Sequence, residues 1–200
     1  MKQQVPLPLI LGSQSPARKE ILEFFSIPFI QKAANIDEES FPFNGNPQEH
    51  AKFLAEEKGA ALHKIFPKDL ILTADTLVFC ENKLYNKPQN RQEAFDMLTF
   101  LSGKWHQIFT AISLRYKDIM TSEVETTAVL MHDLKPYQIE LYHSRIDFKN
   151  KAGGYTIQGA GNLIINRIDG SFYNVVGLPI NALRKILLKV EIDLWDFFKK

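Results

Sequence analysis

Residues 70–80 read Leu-Ile-Leu-Thr-Ala-Asp-Thr-Leu-Val-Phe-Cys, apolar and β-prone on either side of a polar centre. Such a run predicts a strand buried on both faces. Upstream, residues 7–11 predict a short strand and Gly12-Ser13-Gln14-Ser15 a turn. Ser15 then suits an N-cap with Pro16 at the first helical position, and Ile21, Leu22 and Phe25 form the apolar face behind it. Pro28 ends that helix, and residues 29–32 predict a second strand. Asn46-Pro47 opens a longer helix to about Phe66, with Ala51, Leu54, Ala61, Leu62 and Ile65 on its stripe.

Beyond the central strand, Glu81-Asn82-Lys83 predicts a hairpin turn, with 84–88 returning along it. This places Lys87 near the Asp75 strand, at the end of its neighbour. Asn90 caps a helix carrying Ala94, Met97, Leu98 and Leu101, and Ser102-Gly103 stops it. Residues 105–116 and 124–131 predict a strand pair with Lys117-Asp118 in the turn. In the first of them Ile108, Ile112 and Leu114 share a face. A helix over 136–145, strands over 163–168 and 171–177, and a helix bearing Ile180, Leu183, Ile186, Leu187 and Val190 follow. Residues 195–200 are amphipathic and suit packing on the body or on a partner.

Two hundred residues, 45% of them hydrophobic, suffice for one domain or for two lobes sharing a sheet. A net charge of +1 gives no global field towards nucleic acid or membrane. The one cysteine excludes an internal disulfide, and Cys80 reads as core. No apolar run reaches membrane-spanning length, and residues 1–8 do not resemble a signal peptide. A reducing cytoplasm fits this composition.

The chemistry-bearing residues each carry two readings. A carboxylate inside an apolar run, Asp75, is costly unless paired, hydrogen-bonded or bound to metal. It is either a strand-end aspartate or a group aimed into a site. Ser13, Ser15, Arg18 and Lys19 surround a helix start, which is an ordinary cap with solvated charges or an anion site. Asn35-Ile36-Asp37-Glu38-Glu39 is a solvated acidic loop or a holder of a hard cation. Lys58 falls on an apolar stripe, so it snorkels outward or points into a polar cleft. His106 and His132 have no metal-ligand spacing and read as structural or surface. The stretch 151–161 is polar and holds Gly153, Gly154, Gly159 and Gly161, suiting a surface loop or close backbone approach to a ligand. A phosphate loop, a dinucleotide fingerprint, a zinc set, a nucleophile elbow and a single-strand-binding stripe are all missing. Cations for phosphate and carboxylates for a divalent ion remain, and they point to a site that cleaves phosphoanhydrides.

Several motifs in order along the chain resemble those of the Maf family of nucleotide pyrophosphatases. Ser13-Gln14-Ser15-Pro16-Ala17-Arg18 resembles the family's Ser-x-Ser-Pro-Arg-Arg. Ile36-Asp37-Glu38, Glu57-Lys58 and Ala74-Asp75-Thr76 are similar to its acidic, helical and strand motifs. Lys87-Pro88, Leu101-Ser102-Gly103 with His106, Ala152 to Gly159, and Tyr173 to Pro179 match the later ones. The resemblance implies a single Maf-like domain over 1–200 with an α/β, Maf/ITPase-like fold. That fold is an elongated mixed sheet flanked by helices, in two lobes around a central cleft.

For function, the resemblance implies hydrolysis of a nucleoside triphosphate to the monophosphate and pyrophosphate, with magnesium or manganese, in the cytoplasm and as a homodimer. Nucleic acid and membrane are not expected partners. Asp75 is then the catalytic carboxylate and, with Glu38, the metal holder. Ser13, Arg18, Lys58 and Lys87 bind phosphate, while Ala17, Thr76 and Gln158 occupy specificity positions. Thr76 and Gln158 resemble the dTTP and UTP branch rather than the 7-methyl-GTP branch. Ala17 departs from that branch's arginine, which bears on base preference more than on the reaction. A broad-specificity pyrophosphatase and a non-catalytic nucleotide-binding regulator of cell division are the alternatives.

Overall fold

The computed structural model describes residues 8–198. Leu7 of the first expected strand, the leader reading of residues 1–7, and the last two residues of the amphipathic end lie outside them. Seven strands form one mixed sheet in the order β2-β1-β3-β5-β6-β7, with β4 paired to β3. Strand β1 spans Leu9–Gly12, β2 Phe29–Gln31 and β3 Ile71–Cys80. Both β2 and β3 run parallel to β1, one on each side. Parallel neighbours need crossover connections, and helices supply them here. These are α1 (Pro16–Phe24) between β1 and β2, and α2 (Pro47–Ile65) between β2 and β3. Each starts as the sequence predicts, with proline in its first turn and an N-cap side chain on free backbone N–H groups. Ser15 accepts from Arg18 N, and Asn46 accepts from Gln48 N and Glu49 N.

Strand β4 (Lys83–Tyr85) folds back antiparallel on β3. The turn between them holds Glu81 and Asn82 at φ of 47° and 64°, the double left-handed conformation of a tight hairpin. Next come α3 (Arg91–Leu101), capped by Asn90, then β5 (Trp105–Tyr116) and β6 (Ile119–Met131). Helix α4 (Pro136–His143) and β7 (Ile165–Asp169) follow, then the short α5 (Phe172–Val176) and α6 (Ile180–Leu188).

The chain divides into two compact units. The first comprises Met1–Asp75, Thr110–Glu125 and Gly177–Lys200, and the second Thr76–Phe109 and Thr126–Val176. In the first, Ile10, Leu62 and Ile71 pack with Ala34 and Phe66, and α6 buries Leu183, Ile186 and Leu187. In the second, Val78, Cys80, Leu98, Leu101, Ile108 and Val129 belong to one core. Each fully buried aliphatic side chain contributes roughly 1.5–3 kcal/mol. Cys80 is part of this core, and burial pushes its thiol up.

The structure departs from the sequence reading in three places. Residues 171–177, expected as a strand, contain helix α5 instead. Ser171 makes the turn, accepting from Val175 N at its carbonyl (3.3 Å) and from Asn174 N at its Oγ (3.3 Å). The buried Asn174 amide donates to Ile108 O (3.2 Å) and Thr127 Oγ1 (2.9 Å), which overrides the β-propensity of Phe172, Tyr173 and Val175. Strand β6 begins at Ile119 rather than Val124, directly after a turn with Lys117 at φ 52°. Ile119 and Met120 are exposed in succession and residues 122–125 are all half-buried, so no alternation marks them. Strand β7 starts at Ile165, because Gly159–Leu163 closes into a 3-10 turn. At the end of the chain a 3-10 turn over Leu194–Phe198 lays Phe198 against Phe25, with ring centroids 5.9 Å apart.

Candidate active site

In the first unit the chain leaves β1 for one neighbouring strand and later returns to the other side. Ligands of open α/β sheets bind outside the carboxyl ends of the strands at such a switch point. Here that end carries Gly12, Ser13 and the start of α1. A methyl group on Gly12 would overlap Leu62 and Thr73, so glycine lets α2 lie close against β1 and β3. Thr73 Oγ1 donates to Ala55 O at 2.6 Å and ties α2 to β3. Gly59 keeps the approach close, since a side chain there would press on Thr73 and Arg115.

That closeness brings Lys58 to Asp75. Both are buried, and Lys58 Nζ lies 2.5 Å from Asp75 Oδ1 and 2.8 Å from Glu38 Oε1. The lysine therefore neither snorkels nor stays unpaired. It joins a carboxylate from β3 to one from the acidic loop, where Glu38–Ser40 forms a single 3-10 turn. The pairing supplies what a buried Asp75 requires.

Arg18, in the first turn of α1, completes the cluster. Its Nε donates to Gly177 O (2.7 Å), and its Nη1 donates to Ser13 Oγ (3.0 Å) and Ala74 O (2.9 Å). Burial pushes the guanidinium down, while Asp75 and Glu38 hold it up. It remains charged, as arginine does in proteins. Ser13 Oγ also accepts from Ser15 N at 3.2 Å, which leaves its O–H as the group it offers to a ligand. Gln31 Nε2, from β2, donates to Ser13 O at 2.7 Å and pins the loop from the other side.

Ser13, Arg18, Lys58, Asp75 and Glu38 thus form one connected set within the first unit. Ala17 belongs to the same unit and is buried on the inner face of α1 with Ile21 and Leu22. Thr76, Lys87 and Gln158 belong to the second unit. Thr76 is part-buried in β3, Lys87 is exposed two residues beyond β4, and Gln158 is part-buried ahead of the 3-10 turn at Gly159. One contributor, Gln31, escaped the sequence reading because no motif marked it. Gly177 lies in the motif from Tyr173 to Pro179, but its pairing with Arg18, 159 residues away, had no sequence signal.

Among the described residues no three His, Cys, Asp or Glu side chains converge as a metal cage. The donors present nevertheless fit a hard divalent cation. Magnesium is commonly held by one or two carboxylates with phosphate and water oxygens completing its shell.

The mixed sheet with flanking helices places the chain in an α/β class that includes the Ham1 protein of Staphylococcus aureus. The two structures align with a TM-score of 0.51 over 90% of this chain and 98% of that one, at 13% sequence identity. The chain belongs to the Maf-like protein family, whose model matches residues 8–190. A Chlamydia muridarum protein named nucleoside triphosphate pyrophosphatase is 40% identical over 190 residues, covering 94% of this chain and 97% of its own. A Chlamydia caviae dTTP/UTP pyrophosphatase is 42% identical over 191 residues, with the same two coverages. A dTTP/UTP pyrophosphatase of Latilactobacillus sakei is 40% identical over 178 residues, covering 89% of this chain and 98% of its own. Among the described residues no helix is long and apolar enough to cross a membrane.

Proposed function

We infer that the chain is a nucleoside triphosphate pyrophosphatase that hydrolyses dTTP and UTP to the monophosphate and pyrophosphate. The observation that carries the reading is the buried Lys58–Asp75 pair, tied to Glu38 and set beside Arg18 and Ser13. Relatives of that name, near 40% identity over almost their whole length, support the substrate. Asp75 orients the attacking water and takes its proton. Lys58, Arg18, the Ser13 hydroxyl and Lys87 bind the phosphates and stabilise the charge that develops on them. Asp75 and Glu38 would hold magnesium or manganese, which when bound polarises a phosphoryl oxygen. Thr76 and Gln158 contact the base, because an amide both donates to and accepts from the polar edge of a pyrimidine. Ala17, in place of an arginine, bears on base preference more than on the reaction. The protein acts in the cytoplasm as a homodimer.

Pyrophosphate release across a nucleotide panel with magnesium tests this. The wild type should turn over dTTP and UTP ahead of other nucleotides. Asp75→Asn keeps an oxygen for Lys58 but should lose on the order of 10²–10⁴ in turnover with the fold intact. Full activity in that variant, or no turnover of any nucleotide by the wild type, would overturn the reading.

A further inference from the structure

Gln158 stands on irregular backbone. Gly153, Gly154 and Gly159 around it all have positive φ, at 71°, 73° and 58°. No strand ladder holds this segment in place. Side chains from elsewhere in the second unit hold it instead. The Tyr142 hydroxyl, from α4, accepts from Thr156 N at 2.9 Å and donates to Thr156 O at 3.2 Å. His143 Nε2 contacts Gly154 O at 3.0 Å, and His106 Nε2 contacts the Tyr155 hydroxyl at 2.6 Å. Of these three side chains, Tyr142 is the one that grips the backbone of the residue that in turn holds Gln158. Thr156 Oγ1 accepts from Gln158 N at 3.2 Å, and Gly161 N donates to Gln158 O at 3.1 Å. A side chain on Gly161 would run into the Thr156 carbonyl, so the loop closes tightly on Thr156.

We propose that Tyr142 is a positioning residue for base selection, holding Gln158 in register through its two hydrogen bonds to Thr156. The inference rests on the reading that Gln158 contacts the base. The phenol suits the task, since one O–H group can accept from the amide and donate to the carbonyl of a single residue. Burial pushes Tyr142 up to about 12, so it keeps the proton it donates throughout the neutral range. Tyr142 itself is buried in the core of the second unit. Its effect on substrate therefore passes through Thr156 and Gln158.

The test is a double-mutant cycle read on the ratio of kcat/KM for dTTP to that for dCTP. Tyr142→Phe removes the hydroxyl and keeps the ring. It should lower the dTTP to dCTP ratio about tenfold, mostly through KM for dTTP, with kcat within about twofold. Gln158→Ala should lower the ratio by a similar factor. The double variant should be no worse than Gln158→Ala, because both changes remove one interaction. A purely structural tyrosine would lower activity on both nucleotides alike and leave the ratio unchanged. Thr156→Ala cuts the same path at its second link and should also lower the ratio, which covers a Tyr142→Phe protein that fails to fold. An unchanged ratio in a folded Tyr142→Phe protein, or in Thr156→Ala where that protein does not fold, overturns the proposal. So does full additivity in the double variant. If Gln158→Ala leaves the ratio unchanged in an active wild-type background, the base-contact reading itself fails, and the proposal with it.

Discussion

Acid should weaken the second unit through the buried imidazole of His106. His106 is 2% exposed, and burial pushes its pKa from 6.5 down to about 4. In the folded chain it therefore stays neutral until the pH approaches 4, whereas in the unfolded chain it takes up a proton near 6.5. Between those values the unfolded state binds the extra proton, so stability rises with pH across the window. The contribution is fully present above pH 6.5 and is lost as pH falls towards 4. A separation of about 2.5 units at 1.36 kcal/mol per unit gives roughly 3 kcal/mol. Acid acts on every ionisable group of both states at once, so the measurement must be a difference. Urea unfolding of the wild type and of His106→Gln, which cannot titrate there, should be followed from pH 7.5 to 4.5. The advantage of the wild type should shrink by about 2–3 kcal/mol across that range. Two curves that stay parallel would refute the assignment of this pH dependence to His106.

Two further outcomes follow from the first unit. Lys58→Met leaves Asp75 buried without its partner and should cost about 3–5 kcal/mol in urea unfolding at pH 7, most of it recovered when Asp75→Asn is added. Gly12→Ala drives a methyl into Leu62 and Thr73 and should cost about 1–3 kcal/mol in thermal unfolding, with a raised KM because Ser13 moves with it.

Elements set by local signals were readable from the chain. The caps at Ser15, Asn46 and Asn90, the Glu81-Asn82 turn and the doubly buried run ending at Cys80 each depend on neighbours within a few residues. Helix α5 was not readable, because the preference of its aromatic and β-branched residues is overruled by Asn174 reaching Ile108 and Thr127. The site divides along the same line. Lys58 stood out as a charge on an apolar stripe, but its choice of Asp75 and Glu38 depends on how closely α2 lies against the sheet. The Gly177 carbonyl that receives Arg18 is a backbone atom with no side-chain signature. Tyr142 could not be told from any other core aromatic, since its function lies in where one hydroxyl points.

Cys80 has a practical consequence of its own. The thiolate is the form that alkylating reagents attack, and this thiol is buried, raised in pKa and without a second cysteine to pair with. Its Sγ sits 3.6 Å from the Trp105 carbonyl inside the sheet. At 3% exposure the thiol reacts fastest when the packing around the end of β3 loosens. The unmodified chain therefore carries a built-in reporter, and the rate of thiol alkylation under native conditions follows local loosening at the end of β3, with no label introduced.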